Sequence, residues 1–143
     1  MLELPYAKET FTVAFTALFS FIISYLFFKR QEKLEKRKVF YEAASSMIIK
    51  YIDELMFALS DLSYSTKDNE DALRIALMNV VKKKQNVVES RLLLLNDKDL
   101  VNEFDLFLQV CTAYSINTGF TKPNNVPITL VTVQAHKVLK KLL

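Results

Sequence analysis

One uncharged stretch constrains this chain more than any other feature of its sequence. Residues 10–28 read TFTVAFTALFSFIISYLFF, and seven of these 19 residues are aromatic while none is charged. A helix of that length rises about 28 Å, which is close to the roughly 30 Å hydrocarbon core of a bilayer. The stretch therefore predicts a transmembrane helix.

A cleaved signal peptide and a buried helix of a water-soluble protein are the alternatives for this stretch. Signal peptides begin with basic residues, contain a shorter apolar run and end at small residues. Here the preceding residues 1–9 have an acidic balance, and residues 25–28 read YLFF. The aromatic content disfavours a buried soluble helix, although the Thr and Ser residues leave that alternative open. We favour an uncleaved anchor.

A basic juxtamembrane segment, residues 29–38, follows the apolar stretch directly. It carries two acidic side chains and six basic ones, namely Lys29, Arg30, Lys33, Lys36, Arg37 and Lys38. Lys and Arg next to a membrane span stay in the cytoplasm, which predicts a short extracytoplasmic N-terminus, residues 1–9, and a cytoplasmic domain, residues 39–143. The same side chains could bind anionic lipid headgroups, and the two interpretations are compatible.

Hydroxyl side chains recur every four residues along the apolar stretch, at Thr12, Thr16, Ser20 and Ser24. On a helix they form one slowly turning stripe, which predicts a contact face for another transmembrane helix. Two alternatives stay open. The hydroxyls could bond to carbonyls of their own helix, or the stripe could line a pore in an oligomer.

The rest of the chain predicts helices rather than strands. The whole chain contains one glycine and three prolines, and the apolar residues after the basic segment recur at helical spacing. The predicted helices are residues 34–62, 70–95, one that starts at residue 96 or 97, and 128–143. The fold class is thus all-α, with a single N-terminal transmembrane helix followed by a small cytoplasmic bundle of about four helices. Whether the first bundle helix continues unbroken from the membrane span stays open.

The spacing also predicts which side chains form the core. In the third bundle helix the stripe is Leu100, Phe104, Phe107, Cys111 and Tyr114. In the second it is Leu73, Leu77, Val80, Val81, Val87, Val88 and Leu94. We expect the run of four leucines at residues 92–95 to be well covered, and Phe120 to plug the end of the bundle. Cys111 is interpreted as a small buried apolar residue rather than a reactive thiol.

Catalytic and metal-binding motifs are missing from the sequence. With one histidine and one cysteine, the familiar triads and metal sets lack members, so we expect no enzyme activity, metal or cofactor. The segment 39–143 carries twelve basic and twelve acidic side chains, which disfavours nucleic acid as a partner. No small-molecule substrate is evident.

The resulting functional hypothesis is a membrane-tethered interaction protein. It would be a subunit or adaptor that oligomerises, or docks a membrane-protein partner, at the cytoplasmic membrane face. The alternative is a pore-forming or membrane-perturbing effector, which would cause leakage or growth arrest. A small membrane-bound enzyme that uses paired carboxylates stays open as a third hypothesis.

Overall fold

The protein is described by a computed structural model that covers residues 5–122 and 126–143, apart from the side chains of Pro5 and Ala7. It is all-helical, with four helices and no strand in those ranges. They are α1 (Pro5–Ser63), α2 (Glu70–Leu95), α3 (Lys98–Ile116) and α4 (Ile128–Leu142). Residues 1–4 of the predicted N-terminal segment, and residues 123–125 of the last loop, lie outside the described residues.

Helix α1 joins the apolar stretch and the first bundle helix in one continuous helix, which the sequence left open. It begins at Pro5, whose fixed φ suits a first helical position, and it continues through residues 10–28 and 29–38 without a break. No glycine or proline occurs between residues 6 and 63, so nothing in the sequence interrupts the backbone hydrogen bonds. The chain divides into two compact units, Met1–Phe40 and Tyr41–Leu143.

The ends of the other helices follow from local chemistry. Glu70 and Asp71 place negative charge in the first turn of α2, and Asn96 ends that helix in the left-handed conformation with a φ of 54°. Asp97 then caps α3, because its carboxylate accepts a hydrogen bond of 3.1 Å from the backbone N–H of Leu100. The predicted bounds of α2 are confirmed, as is the choice of helix over strand for α4.

The unit Tyr41–Leu143 is a helical bundle with one apolar core. The C-terminal part of α1 contributes a buried stripe from Ile48 to Leu62, and Tyr51 packs against Phe104 of α3 with ring centroids 6.0 Å apart. The predicted α3 stripe is confirmed, since all five of its residues are buried. In α4 the buried side chains are Val131, Gln134, Ala135, Val138 and Leu142.

The predicted core face of α2 is partly wrong. Leu77 and Val88 are buried, but Val87 and Leu94 are exposed and Leu92 is buried in their place. Four leucines in a row occupy every side of a helix, and only the side toward Val88 meets the bundle. Leu93 is therefore 69% exposed, and the expectation that this run is well covered is also wrong.

Phe120 does not plug the bundle, because its side chain is 60% exposed. Among the described residues of this loop, Thr118 is the one that is buried, and it is fully covered. Lys84, which interrupts the apolar face of α2, forms an ion pair with Glu54 of α1 while its side chain stays partly exposed. The lysine therefore has a partner in the bundle.

Candidate functional site

The apolar part of α1 is a helix whose side chains are exposed. Every residue from 10 to 28 is exposed, including Phe11 at 73% and Phe28 at 66%. Phe11, Phe15 and Phe19 stack along one side, with successive ring centroids 6.4 Å apart. Soluble monomers rarely expose a contiguous apolar patch of more than a few hundred Å². Among the described residues this is the one helix long and apolar enough to cross a membrane.

The four hydroxyl residues lie on successive turns of this helix, and all four are exposed. The Thr12 hydroxyl donates to the carbonyl of Lys8 at 2.8 Å, and the Thr16 hydroxyl donates to the carbonyl of Thr12 at 2.7 Å. In the single chain these two protons are used within the helix. A hydroxyl oxygen that donates once can still accept a hydrogen bond from a neighbouring helix.

The basic segment presents its charges outward. All six of its Lys and Arg residues are exposed, and the ammonium of Lys29 lies 5.5 Å from the centre of the Tyr25 ring. Lys36 bonds to Glu32 at 2.6 Å, one turn earlier. The hydrogen bond and the charge of Lys36 lower the pKa of the Glu32 carboxyl. The segment is therefore a mostly positive helical collar next to the apolar residues.

A polar cluster in the second unit was missed by the sequence analysis. Glu70 and Arg74, one turn apart at the start of α2, form an ion pair of 2.9 Å. The Arg74 guanidinium also donates to the carbonyls of Ser115 at 2.7 Å and Thr118 at 2.6 Å. It thereby satisfies a carbonyl of the last turn of α3, where helical partners are lacking.

The carboxylate of Glu70 holds the loop that follows α3. It accepts hydrogen bonds from the backbone N–H of Thr121 at 3.1 Å and from the Thr121 hydroxyl at 2.9 Å. The hydrogen bond from Arg74 is the largest cause of the lowered pKa of Glu70, and the bonds from Thr121 lower it further. We call Glu70, Arg74 and Thr121 the loop clamp. The only sequence signal for it is the i,i+4 spacing of Glu70 and Arg74.

Cys111 is buried in the core, and this burial raises the pKa of its thiol to about 12. A thiol with such a pKa is protonated at neutral pH, and the thiolate is the nucleophilic form. The interpretation of Cys111 as a buried apolar residue is confirmed. Among the residues with described positions, no group of three or more His, Cys, Asp or Glu side chains could hold a metal ion.

A cavity of about 350 Å³ lies between α2 and α3, over the C-terminal part of α1. Its floor includes fully buried Leu55 and Leu59 of α1, together with Cys111 of α3. Met78 and Ile116, which are 54% and 59% exposed, border it on the solvent side. Volumes of this size are at the lower end of those that small-molecule pockets have.

Comparison with known proteins found no family model, no curated protein and no solved structure that matches this chain.

Proposed function

We propose that this chain is a single-pass membrane protein whose helical domain docks or assembles with a partner at the cytoplasmic face. The observation that carries the proposal is the exposure of residues 10–28, an uncharged helical segment followed directly by a basic one. In water the exposed apolar surface is unfavourable by about 25 cal/mol per Å². Hydrocarbon in place of water around these side chains removes that cost. The helix can lie in lipid because its backbone hydrogen bonds are satisfied within the helix.

The orientation follows from the basic collar. Six Lys and Arg residues follow the apolar segment within ten residues, whereas Lys8 is the one basic residue before it. The positive-inside rule then leaves residues 1–9 outside and residues 39–143 in the cytoplasm. Each basic side chain near an anionic leaflet adds about 1 kcal/mol of attraction, so the collar also favours membranes that contain acidic lipids.

The contact we propose is between residues 10–28 and a second transmembrane helix, from another copy of this chain or from a different membrane protein. Through that contact the helical domain is held beside its partner at the cytoplasmic face. In lipid there is no hydrophobic drive for helix association, so small residues and hydroxyls provide it through close packing and hydrogen bonds. Thr12, Thr16, Ser20 and Ser24 supply such a face, and Ala17 lies at its edge.

A topology experiment tests this proposal. A reporter that fluoresces only in the cytoplasm is fused after Leu143 and, in a separate protein, before Met1. We expect the first fusion to be bright, the second to be dark, and both to remain in the membrane fraction after extraction at alkaline pH. A dark C-terminal fusion contradicts the orientation. A chain released into the soluble fraction without detergent contradicts the anchor itself.

A further inference from the structure

The polar groups in the wall of the cavity between α2 and α3 already form hydrogen bonds with other groups of the protein. Four N–H donations of Arg74 go to Glu70 and to the carbonyls of Ser115 and Thr118. The amide of Gln85, at the other end, donates to Glu89 at 2.9 Å. The Thr112 hydroxyl donates to the carbonyl of Leu108. A ligand would therefore gain little from a polar group inside this cavity.

The remaining surface of the cavity is aliphatic. It is supplied by three helices, chiefly by Leu55, Leu59, Leu77, Val81 and Leu108. Enclosed apolar cavities in other proteins take up apolar molecules rather than ordered water, since water needs two to four polar partners, and the buried part of this cavity has the same aliphatic lining. An apolar ligand therefore suits this cavity better than water or a polar ligand does.

The dimensions of the cavity decide the shape of the occupant. It follows α2 from Arg74 to Gln85, about 16 Å, and α3 from Leu108 to Ile116, about 12 Å. The cavity volume is about 350 Å³, and it is spread over roughly 14 Å. An α-helix about 10 Å across and 14 Å long occupies roughly 1,100 Å³, so a partner helix does not fit. A single extended carbon chain does, since non-bonded carbon atoms lie about 4 Å apart.

We propose that this cavity is a binding site for one unbranched alkyl chain of an amphiphile. The polar head remains at the open side, next to Met78 and Ile116, where both side chains reach solvent. Two kinds of molecule carry such an alkyl chain, a membrane lipid with its acyl chains and a free single-chain amphiphile. The site lies wholly within Tyr41–Leu143 and does not depend on the proposed membrane anchor.

Cys111 provides the measurement, because it is the only cysteine in the chain and it lines the cavity. The full chain is reconstituted in vesicles of diphytanoyl-phosphatidylcholine, whose methyl-branched chains are wider than an unbranched alkyl chain. If the chain dissolves without lipid, the same measurement is made in buffer. Because burial keeps the Cys111 thiol protonated near neutral pH, its slow alkylation by N-ethylmaleimide is followed over hours at about pH 9 while 1-alkanols from six to fourteen carbons are added. The thermal unfolding midpoint is recorded in parallel, since a ligand that binds the folded state raises it.

We expect the alkanol concentration that half-protects Cys111 to fall about fourfold with each added methylene. It should stop falling once the alkyl chain fills the cavity. Val81→Phe fills the cavity and should weaken the protection at least tenfold. Ile75→Phe adds the same ring to an exposed position of α2 outside the cavity and should behave like the wild type. If Val81→Phe fails to fold, Leu108→Phe in the opposite wall replaces it.

The proposal is overturned if neither alkylation nor the unfolding midpoint responds to alkanols, or if Val81→Phe responds as the wild type does. It is also overturned if the effect grows with chain length and never levels off, because that is partitioning into the bilayer. Vesicles of straight-chain phosphatidylcholine identify the source. Protection without any alkanol assigns the site to lipid acyl chains, and protection only after alkanol is added assigns it to free amphiphiles.

Discussion

Gly119 is a position where one added methyl group should destabilise the folded protein. Its φ is +125°, which side chains of L-residues rarely adopt. A Cβ there would lie 2.5 Å from Oε1 of Glu70 and 2.7 Å from Nη2 of Arg74. These atoms are held by the loop clamp, so they cannot move away without losing hydrogen bonds.

We therefore expect Gly119→Ala to lower the free energy of unfolding by about 1–3 kcal/mol, as measured by urea denaturation. The matched control is Asn96→Gly at the other described residue with a clearly positive φ, 54°. Asn96 is exposed, and glycine suits its conformation, so this change should stay within about 0.5 kcal/mol of the wild type. A stability for Gly119→Ala equal to that of Asn96→Gly would contradict the clamp geometry.

The clamp also predicts how stability depends on pH. The pKa of Glu70 is lowered in the folded protein by Arg74 and Thr121, so the unfolded chain binds its proton first as the pH falls. The contribution of Glu70 to stability is complete above the unfolded pKa of about 4.3 and is lost as the pH falls through the lower folded value. Thermal unfolding midpoints should therefore decrease as the pH is lowered from 7 to 3.

Glu70→Gln removes that titrating group while preserving the shape of the side chain. We expect the variant to be less stable than the wild type at pH 7. Its unfolding midpoint should also change less between pH 7 and pH 3. Asp71→Asn, at an exposed neighbouring residue of the same first turn, serves as the control. If the slopes of the wild type and Glu70→Gln coincide, Glu70 is not the group that links folding to protons.

At the scale of the element, the membrane part of α1 carries the proposed assembly face. Thr16→Leu combined with Ser20→Leu replaces two hydroxyls by bulky side chains and blocks close approach of a second helix. We expect a smaller assembly by cross-linking or by light scattering in detergent. Ala14→Leu adds bulk on another side of the same helix and should leave the assembly size unchanged. An unaltered assembly in the double variant would argue against the stripe.

Helices differ in how completely their spacing predicts their burial. The stripe of α3 was predictable because its buried residues recur at unbroken steps of four and three, even though Leu106 and Ile116 are exposed on other sides of the helix. Helix α2 has apolar residues on several sides, so spacing alone does not tell Leu92 from Leu94. Spacing fixes the direction of a side chain around its helix axis. The neighbours that cover it decide whether it is buried.

At the scale of the whole molecule, the core and the proposed anchor occupy separate parts of the chain. The hydrophobic core cluster begins at Ile48, whereas residues 10–28 bury none of their side chains. We expect a variant that lacks residues 1–38 to fold and to stay in solution without detergent. Circular dichroism and a cooperative thermal transition would check the folding, and high-speed centrifugation would check the solubility.

The matched control for this truncation is a chain that keeps residues 1–38 but carries Phe19→Lys and Ile22→Lys. Charges near the centre of a transmembrane helix oppose insertion by about 2.5–3.5 kcal/mol each. This variant should leave the membrane fraction as the truncated chain does. If the truncated chain still sediments with membranes, the bundle itself binds lipid.

The sequence by itself determined that this protein is helical, where α2, α3 and α4 lie, and that one charge-free helical segment precedes a basic one. These features depend on residues within a few turns of each other, so composition and spacing suffice to predict them. Only the tertiary structure decided the loop clamp, the exposure of Leu93 and Phe120, and the cavity over Leu55 and Leu59. Arg74 meets the carbonyl of Thr118, which is 44 residues away in the chain. Contacts of that kind arise from how whole helices pack, which local spacing does not encode.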